Sequence, residues 1–344
     1  MVLAMTHFIK RIPDGDTKLR DVCNRCGFVN YENPRVVVGT VAVSDADKVQ
    51  LAERDGEWTL PYDFMQVGET SKQGAARLIE NGPLDVDHLL TFDEIPESGL
   101  VIMTFRGRLN SSTGALFPLD EAKKKLSANP MALHALELYQ QTKSQKRFSP
   151  GFLRHSFSAA ANPLDVMHVP SAANNAPVKG CGDCSFDKGG NVKLVSGVVA
   201  TLGDKILLGK RAIPPRIGFW TLASGFMELG ETLREGAARE ADEETGAKVD
   251  IGELLAIYEI PKFGQVMTIF RGTLMSPDIA AGPESQDVGL FDWNDVPWNE
   301  LAFPMVKDII NKHERYKHSE KVNPCHMMLT PIMPNKPLEP GVKL

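Results

Sequence analysis

Glu240, Glu243 and Glu244 stand at i, i+3 and i+4 in the run Gly225 to Ala247, GFMELGETLREGAAREADEETGA. On a helix this spacing projects three carboxylates from one face of a single turn. Like charges so close repel by roughly a few tenths of a kcal/mol per neighbouring pair even in water, so a cation is needed to make the cluster favourable. Hard oxygen donors of this kind suit Mg²⁺ or Mn²⁺, and Mg²⁺ commonly bridges a few carboxylates to substrate phosphates. Taken alone, a run of charges is ordinarily a solvated helix face. The setting is more specific: Gly225, Glu231, Arg239-Glu240, Glu243-Glu244 and Gly246 form one long spaced pattern.

These side chains need a helix and a platform beneath it. The pattern predicts a helix from about Thr232 to Thr245, stopped by Gly246. Apolar strands are expected at Val192 to Thr201, Lys205 to Arg211 and Val266 to Leu274, with a final helix near Pro304 to Glu314. The chain also repeats itself. The segment CNRCGFVNYENPRVVVGTVAV from Cys23 matches CGDCSFDKGGNVKLVSGVVAT from Cys181. Trp58-Thr59-Leu60, Gly68-Glu69-Thr70 and Gly74 to Arg77 match Trp220-Thr221-Leu222, Gly230-Glu231-Thr232 and Gly236 to Arg239. Two copies of one domain account for the 344 residues, about twice what one domain needs. Strands and helices mixed without regular βαβ alternation indicate an α+β class, each copy a mixed β-sheet packed between helices. The boundaries read as a partial Cys knuckle at 1–30, a first domain at 31–141, a linker at 142–179, a second domain at 180–318 and a loosely ordered tail at 319–344.

The pattern from Gly225 to Ala247 resembles the Nudix box, G-x5-E-x7-R-E-U-x-E-E-x-G-U, at every charged and glycine position. Ala241 and Ala247 depart from it, being small where the family prefers bulkier aliphatics. The surroundings KRAIPPRIGFWTLASGFMELGET and GPESQDVGLFDWNDVPWNELAFP are similar to a branch with a Cys knuckle that includes plant ADP-ribose/FAD pyrophosphatases. The resemblance implies tandem Nudix-type domains, the second a Mg²⁺-dependent pyrophosphohydrolase cleaving the diphosphate of a nucleoside diphosphate derivative such as ADP-ribose or FAD. It implies Glu240 and Glu244 as metal ligands and Glu243 as a further ligand or water-orienting carboxylate. Gly225 would lend a carbonyl to the metal shell, and Arg239 would pair with a neighbouring glutamate. Glu284 is the first candidate general base, Asp287 the second, and Glu243 itself a third. Arg216, Phe219, Trp220 and Phe263 are candidate nucleobase or phosphate contacts, with core or loop packing as the competing reading because aromatics are usually buried. A rival of another class is a non-catalytic nucleotide-binding or scaffold protein, against which the intact glutamate set argues.

At the matched positions the first copy reads DFMQVGETSKQGAARLIENGPLD. Glu69 and Arg77 survive, but Asp63 replaces the box glycine, and Leu78, Asn81 and Gly82 replace the three glutamates. Hydrolysis is not expected there. The copy reads as a degenerate duplicate kept for folding, or alternatively as a nucleotide-binding module around Trp58 and Arg54. A covalent tandem could set copy one where a second subunit would sit, giving an internal pseudo-dimer; a homodimer is the other arrangement.

Net charge is −6, from 38 basic and 44 acidic residues, so a nucleic-acid partner is not expected. No apolar run approaches the ~18 residues of a membrane span, so no membrane partner is expected either. Two C-x-x-C pairs make a poor disulfide framework, which points to a reducing compartment or a metal. For Cys23, Cys26, Cys181 and Cys184 three readings stand: zinc lost from two half-deleted sites, one zinc shared across the copies, or a first knuckle missing from the gene model. The cytoplasm is the expected location. An organelle is the alternative, since KSQKRFSPGFLRHSFSAAANP has the composition of a transit peptide, although its mid-chain place reads as linker.

Overall fold

The computed structural model describes residues 8–13, 19–25, 27, 29–30, 32–54, 56–79, 84–110, 114–145, 148–157, 162–167, 169, 192–319 and 324–329. Three short strands come first, β1 (Phe8–Arg11), β2 (Arg20–Cys23) and β3 (Val29–Asn30), in an antiparallel sheet of their own. The first half then runs β4 (Arg35–Val43), β5 (Lys48–Arg54), β6 (Glu57–Thr59), β7 (Tyr62–Phe64), α1 (Ser71–Arg77), β8 (Leu84–Ile95) and β9 (Leu100–Leu109). It continues through β10 (Ala115–Pro118), α2 (Leu119–Lys125), α3 (Pro130–Thr142), β11 (Gly151–Arg154) and α4 (Pro163–Met167). The second half follows as β12 (Lys193–Leu202), β13 (Lys205–Arg211), β14 (Trp220–Thr221), β15 (Ser224–Phe226), α5 (Leu233–Thr245) and β16 (Val249–Ile260). Beyond these come β17 (Gln265–Leu274), β18 (Ser285–Phe291), α6 (Pro304–Tyr316) and β19 (Cys325–Met328).

Each half is one mixed sheet with helices packed on it, an α+β arrangement. The strand orders are β10-β5-β4-β9-β8-β11 and β14-β13-β12-β17-β16-β19. At the centre β4 runs parallel to β9 and β12 parallel to β17, while β8 and β16 return antiparallel. Parallel centres must be covered on both faces, which is why β4 (RVVVGTVAV) and β12 (KLVSGVVATL) are nearly unbroken apolar runs. Alternate residues divide between two cores. Val37, Val41 and Ile102 face Ala132, Leu136 and Tyr139 of α3. Val199, Leu208 and Ile269 likewise face Val306, Ile309 and Ile310 of α6. The other face of each sheet meets the opposite half, where Val36, Val38, Phe92, Met103 and Phe105 share one core with Leu194, Val198, Ile257, Val266 and Phe270.

The contacts between halves are reciprocal. Leu233 N, opening α5, donates to Glu94 Oε1 of the first half at 2.5 Å. Ser71 N, opening α1, donates to Glu259 Oε1 of the second half at 2.9 Å. Gly264, left-handed at φ 58°, packs on Val67: a Cβ there would come within 3.1 Å of Val67 Cγ2. Gly99 meets Leu229 in the matching way.

Two expectations need correction. The segment 142–179 is not only a linker, because β11 pairs parallel with β8, and Leu164, Met167 and Val169 close the core under α3. Nor is the tail 319–344 wholly loose, since β19 pairs parallel with β16. Both are four-residue strands added to a sheet edge, too short for alternation to reveal them. Residues 170–191, with Cys181 and Cys184, lie outside the described residues, as does Cys26; Cys23 is buried on β2. Among the described residues no helix is long and apolar enough to cross a membrane.

Candidate active site

Helix α5 begins where a capping box sets it. Thr232 accepts from Glu235 N, and Glu235 reaches back to Thr232 N at 2.7 Å, an arrangement worth about 1 kcal/mol. It ends at Gly246, left-handed at φ 63°, as the sequence predicts. Its buried stripe of Leu233, Ala237 and Ala241 lies on the sheet, so the small Ala241 packs in the shared core and Glu240, Glu243 and Glu244 are turned toward β15 and the loops.

Arg239 organises the cluster. Its guanidinium clamps Glu231 with two bonds of 2.9 Å, donates to Glu240 Oε1 at 2.6 Å and to Glu243 Oε2 at 3.0 Å, and reaches Phe226 O at 3.0 Å. Glu231 in turn accepts from Glu228 N at 2.8 Å, which ties down the loop between β15 and α5. Burial opposes the charge on Arg239, yet Glu231 and Glu240 hold its pKa above the ordinary value.

The carboxylates sit where water is scarce. Glu244 Oε2 accepts from Ser224 N at 3.2 Å. Gly225 faces Glu240 so closely that a side-chain carbon there would land on the carboxylate, which explains the box glycine. Burial pushes Glu240 up to about 7 despite Arg239, with Glu243 and Glu284 adding repulsion. Burial also raises Glu244 well above its ordinary value, reinforced by Glu240 and Glu284. Glu243 is about half exposed, at 46 %. Acids crowded and desolvated in this way fit a divalent cation, which Glu240 and Glu244 could hold with Glu243 on the more open side.

The loop before β18 brings in the remaining groups. Ala280 N and Gly282 N donate to Thr245 O and Glu244 O at 2.9 and 3.0 Å, fastening the loop along the end of α5. Glu284 consequently lies within electrostatic reach of Glu240, Glu244 and Arg211. Asp287 is placed differently: on β18 opposite Lys210, its carboxylate accepts from Val288 N at 2.9 Å. Arg211, which ends β13, was missed as a site residue, although its charge faces both Glu244 and Glu284. Its only signal in the sequence is a basic residue closing an apolar strand.

The candidate substrate contacts divide. Arg216, strained at φ 67°, lies over the Phe219 ring at 5.0 Å and has Nη1 buried without a hydrogen-bond partner. Trp220 is core: it is 8 % exposed and packs edge-on against Phe291 at 4.9 Å. Phe263 is exposed, but it belongs to the β16–β17 turn whose Gly264 rests on Val67 of the first half. That turn stands by the first half's box loop rather than by α5.

In the first half the clamp survives without the three glutamates. Arg77 holds Glu69 at 3.0 and 3.1 Å, as Arg239 holds Glu231. Asp63, at the glycine position, takes Arg77 Nη1 at 2.7 Å, so a carboxylate from the strand replaces the one lost from the helix at Leu78. Helix α1 has only seven residues and ends at Arg77. Asn81, Gly82 and Pro83 lie outside the described residues. Trp58 is covered by Phe117 at 4.9 Å and by Lys125 at 4.9 Å, so it offers no open stacking platform.

Comparison with known proteins identifies the family. A NUDIX domain model matches residues 193–310, and a Nudix N-terminal model matches residues 6–32. An ADP-ribose pyrophosphatase of Methanocaldococcus jannaschii is 37% identical over 119 residues, covering 33% of this chain and 69% of that protein. A MutT-like protein of Streptomyces ambofaciens is 40% identical over 77 residues, 22% of this chain and 48% of its own. An NAD-capped RNA hydrolase NudC of Salmonella paratyphi C is 35% identical over 95 residues, 27% of this chain and 37% of its own. The chain thus spans less than half the length of the last two. The crystal structure of a NUDIX hydrolase from Nitrosomonas europaea aligns over 94% of both chains at 22% identity, with a TM-score of 0.35. The chain belongs to the Nudix family, hydrolases acting on phosphoanhydride bonds.

Proposed function

We propose that the second half is a Mg²⁺-dependent pyrophosphohydrolase that splits the diphosphate of a nucleoside diphosphate derivative such as ADP-ribose or FAD. The observation that carries this reading is the pair Glu240, buried against Gly225, and Glu244, held by Ser224 N, both raised by burial beyond what Arg239 and Arg211 offset. Glu240, Glu244, Glu243 and the Gly225 carbonyl would hold Mg²⁺ or Mn²⁺. Bound there, the cation supplies neutralisation of the diphosphate and stabilises charge at phosphorus. The chain's own groups do the rest. Arg239 fixes the rotamers of Glu240 and Glu243 through bonds of 2.6 and 3.0 Å. Glu284, carried on the loop fastened to α5, takes the proton of the attacking water, and the loop completes the site when substrate arrives. Arg216 directs its unpaired Nη1 to a phosphate oxygen. The first half hydrolyses nothing and serves as the folding partner of the second.

The test is hydrolysis of ADP-ribose, FAD and NAD-capped RNA with Mg²⁺ by the wild type, Glu244→Gln and Glu284→Gln. The RNA belongs in the panel because relatives bear the name NAD-capped RNA hydrolase, so the absence of basic excess is no guide to the substrate. The expected result is turnover of a small diphosphate derivative by the wild type, reduced at least about 100-fold in Glu244→Gln, since even residues supporting a metal ligand contribute 10–100-fold. Equal rates in wild type and Glu244→Gln would refute the assignment.

A further inference from the structure

The first half gathers a separate group of ligand-type side chains, away from its degenerate box. Asp93 on β8, His134 on α3 and His155 just past β11 converge under α3. His134 Nδ1 and His155 Nε2 each lie 2.7 Å from the same oxygen, Asp93 Oδ1. One ligand atom from each residue falls within 4.8 Å of the others. Asp93 is wholly buried, and the His155 and His134 side chains are 8% and 16% exposed. Asp93 Oδ2 is buried with no hydrogen-bond partner. Gly151 makes room for the group, since a Cβ there would come within 2.9 Å of His134 Nε2.

The second half has nothing comparable at the same places. Asp93 and Tyr258 are each third from the end of β8 and β16, and His134 and Asp308 are each fifth in α3 and α6. His155 and Leu329 each follow the edge strand and donate a backbone N–H to Glu94 O and Glu259 O at 2.8 Å. There Tyr258 simply donates its hydroxyl to Asp308 at 2.6 Å. Between the two copies, Asp93 and His155 stand where the second half has Tyr258 and Leu329, and His134 where it has Asp308, so only the first half brings two imidazoles and a carboxylate to this point. A carboxylate receiving two imidazole N–H groups would explain Oδ1 but leave a buried oxygen unsatisfied.

We propose that Asp93, His134 and His155 bind one divalent transition-metal cation, of the zinc class, as a structural site pinning α3 and β11 to β8. Two imidazoles and a carboxylate are a common zinc donor set, with a fourth position open to the second Asp93 oxygen or to water. The nitrogen donors set it apart from the oxygen-only box, and the lack of thiolate sets it apart from the cysteine pairs.

The test uses the full chain, stripped with chelator and loaded with Co²⁺. The wild type should show visible ligand-field bands that Zn²⁺ displaces. His155→Gln and Asp93→Asn, with circular dichroism unchanged, should each lose one metal equivalent and those bands. Any thiolate-to-cobalt charge-transfer band should persist in both variants. Equal metal uptake in wild type and variants, or a loss confined to the thiolate band, overturns the proposal. Should a variant fail to fold, X-ray absorption of the zinc-loaded wild type decides: imidazole nitrogen in the zinc shell supports the site, and a shell of sulfur alone or no bound zinc overturns it.

Discussion

Replacing Glu94 by glutamine should stabilise the protein at pH 8 and change it little at pH 5. Glu94 is 3% exposed and its carboxylate accepts Leu233 N from the other half at 2.5 Å. Burial pushes the group up to about 7 from an ordinary 4.5; the Leu233 bond and Arg234 offset part of this, and Glu235 and Asp93 oppose them. Between those two values the folded protein keeps a proton that the unfolded chain releases. Stability must then fall as pH rises through that window and level off above about 7. Between 4.5 and about 7, at about 1.4 kcal/mol for each tenfold change in proton affinity, the full penalty comes to about 3 kcal/mol. Glutamine carries no charge and keeps a carbonyl for Leu233 N, so the variant escapes the penalty without losing the bond. Urea unfolding of both proteins from pH 5 to pH 8 measures it. The curves should separate by about 3 kcal/mol at pH 8 and by less than about 1 kcal/mol at pH 5. Parallel curves, or a variant less stable at pH 8, would refute the reasoning.

The partner contact should behave with the opposite sign. Burial works against the Glu259 charge, but His326 at 3.2 Å and Ser71 hold its pKa below the ordinary value. Its contribution is present above the unfolded value of 4.5 and is lost on acidification through the lower folded value, so Glu259→Gln should destabilise at neutral pH, with the gap closing only below about pH 4.5 in urea unfolding extended to acid. Gly225→Ala would drive a methyl into the Glu240 carboxylate; hydrolysis should drop at least about 100-fold, read as kcat/KM against Mg²⁺ concentration. A fragment of residues 178–320 should dimerise or precipitate on size exclusion, because the face that meets Val36, Phe92 and Phe105 would be bare. A well-behaved, fully active monomer would count against the pseudo-dimer.

What the sequence discloses depends on how local the signal is. The box helix is legible to the residue, since capping at Thr232, the left-handed stop at Gly246 and the carboxylate spacing are all consequences of one turn's geometry. The strands at Lys205 to Arg211 and Val266 to Leu274 are equally plain, each an apolar stretch set off by polar or turn residues. The edge strands β11 and β19 are not, because four residues cannot show a period and their pairing partners lie far away in the chain. Trp220 and Phe263 illustrate the same limit at the site. An aromatic beside a motif reads alike whether it faces ligand, core or the other domain, and only packing against Phe291 or the turn beside Val67 tells which. Asp93, His134 and His155 were invisible for that reason too: they come from three distant segments with no spacing to connect them.

How a first copy can fold without the three box glutamates follows from how the box is built. The clamp that shapes the loop uses Nε and Nη2 of Arg239 on Glu231, while Nη1 alone meets Glu240 and Glu243. The first copy keeps this clamp as Arg77 on Glu69, and Asp63 supplies the acid that Leu78 no longer can. The loop around Val67 therefore still presents itself to Gly264, and α1 still offers Ser71 N to Glu259. In return Glu94 receives the first N–H of α5, one of the donors that a helix cannot satisfy within itself. The box helix of the second half is thus seated partly by the first. In this arrangement the first copy can lack the three helix glutamates without disturbing α5, whereas breaking its clamp disturbs the contacts to Gly264 and Glu259, and removing Glu94 reaches α5 directly.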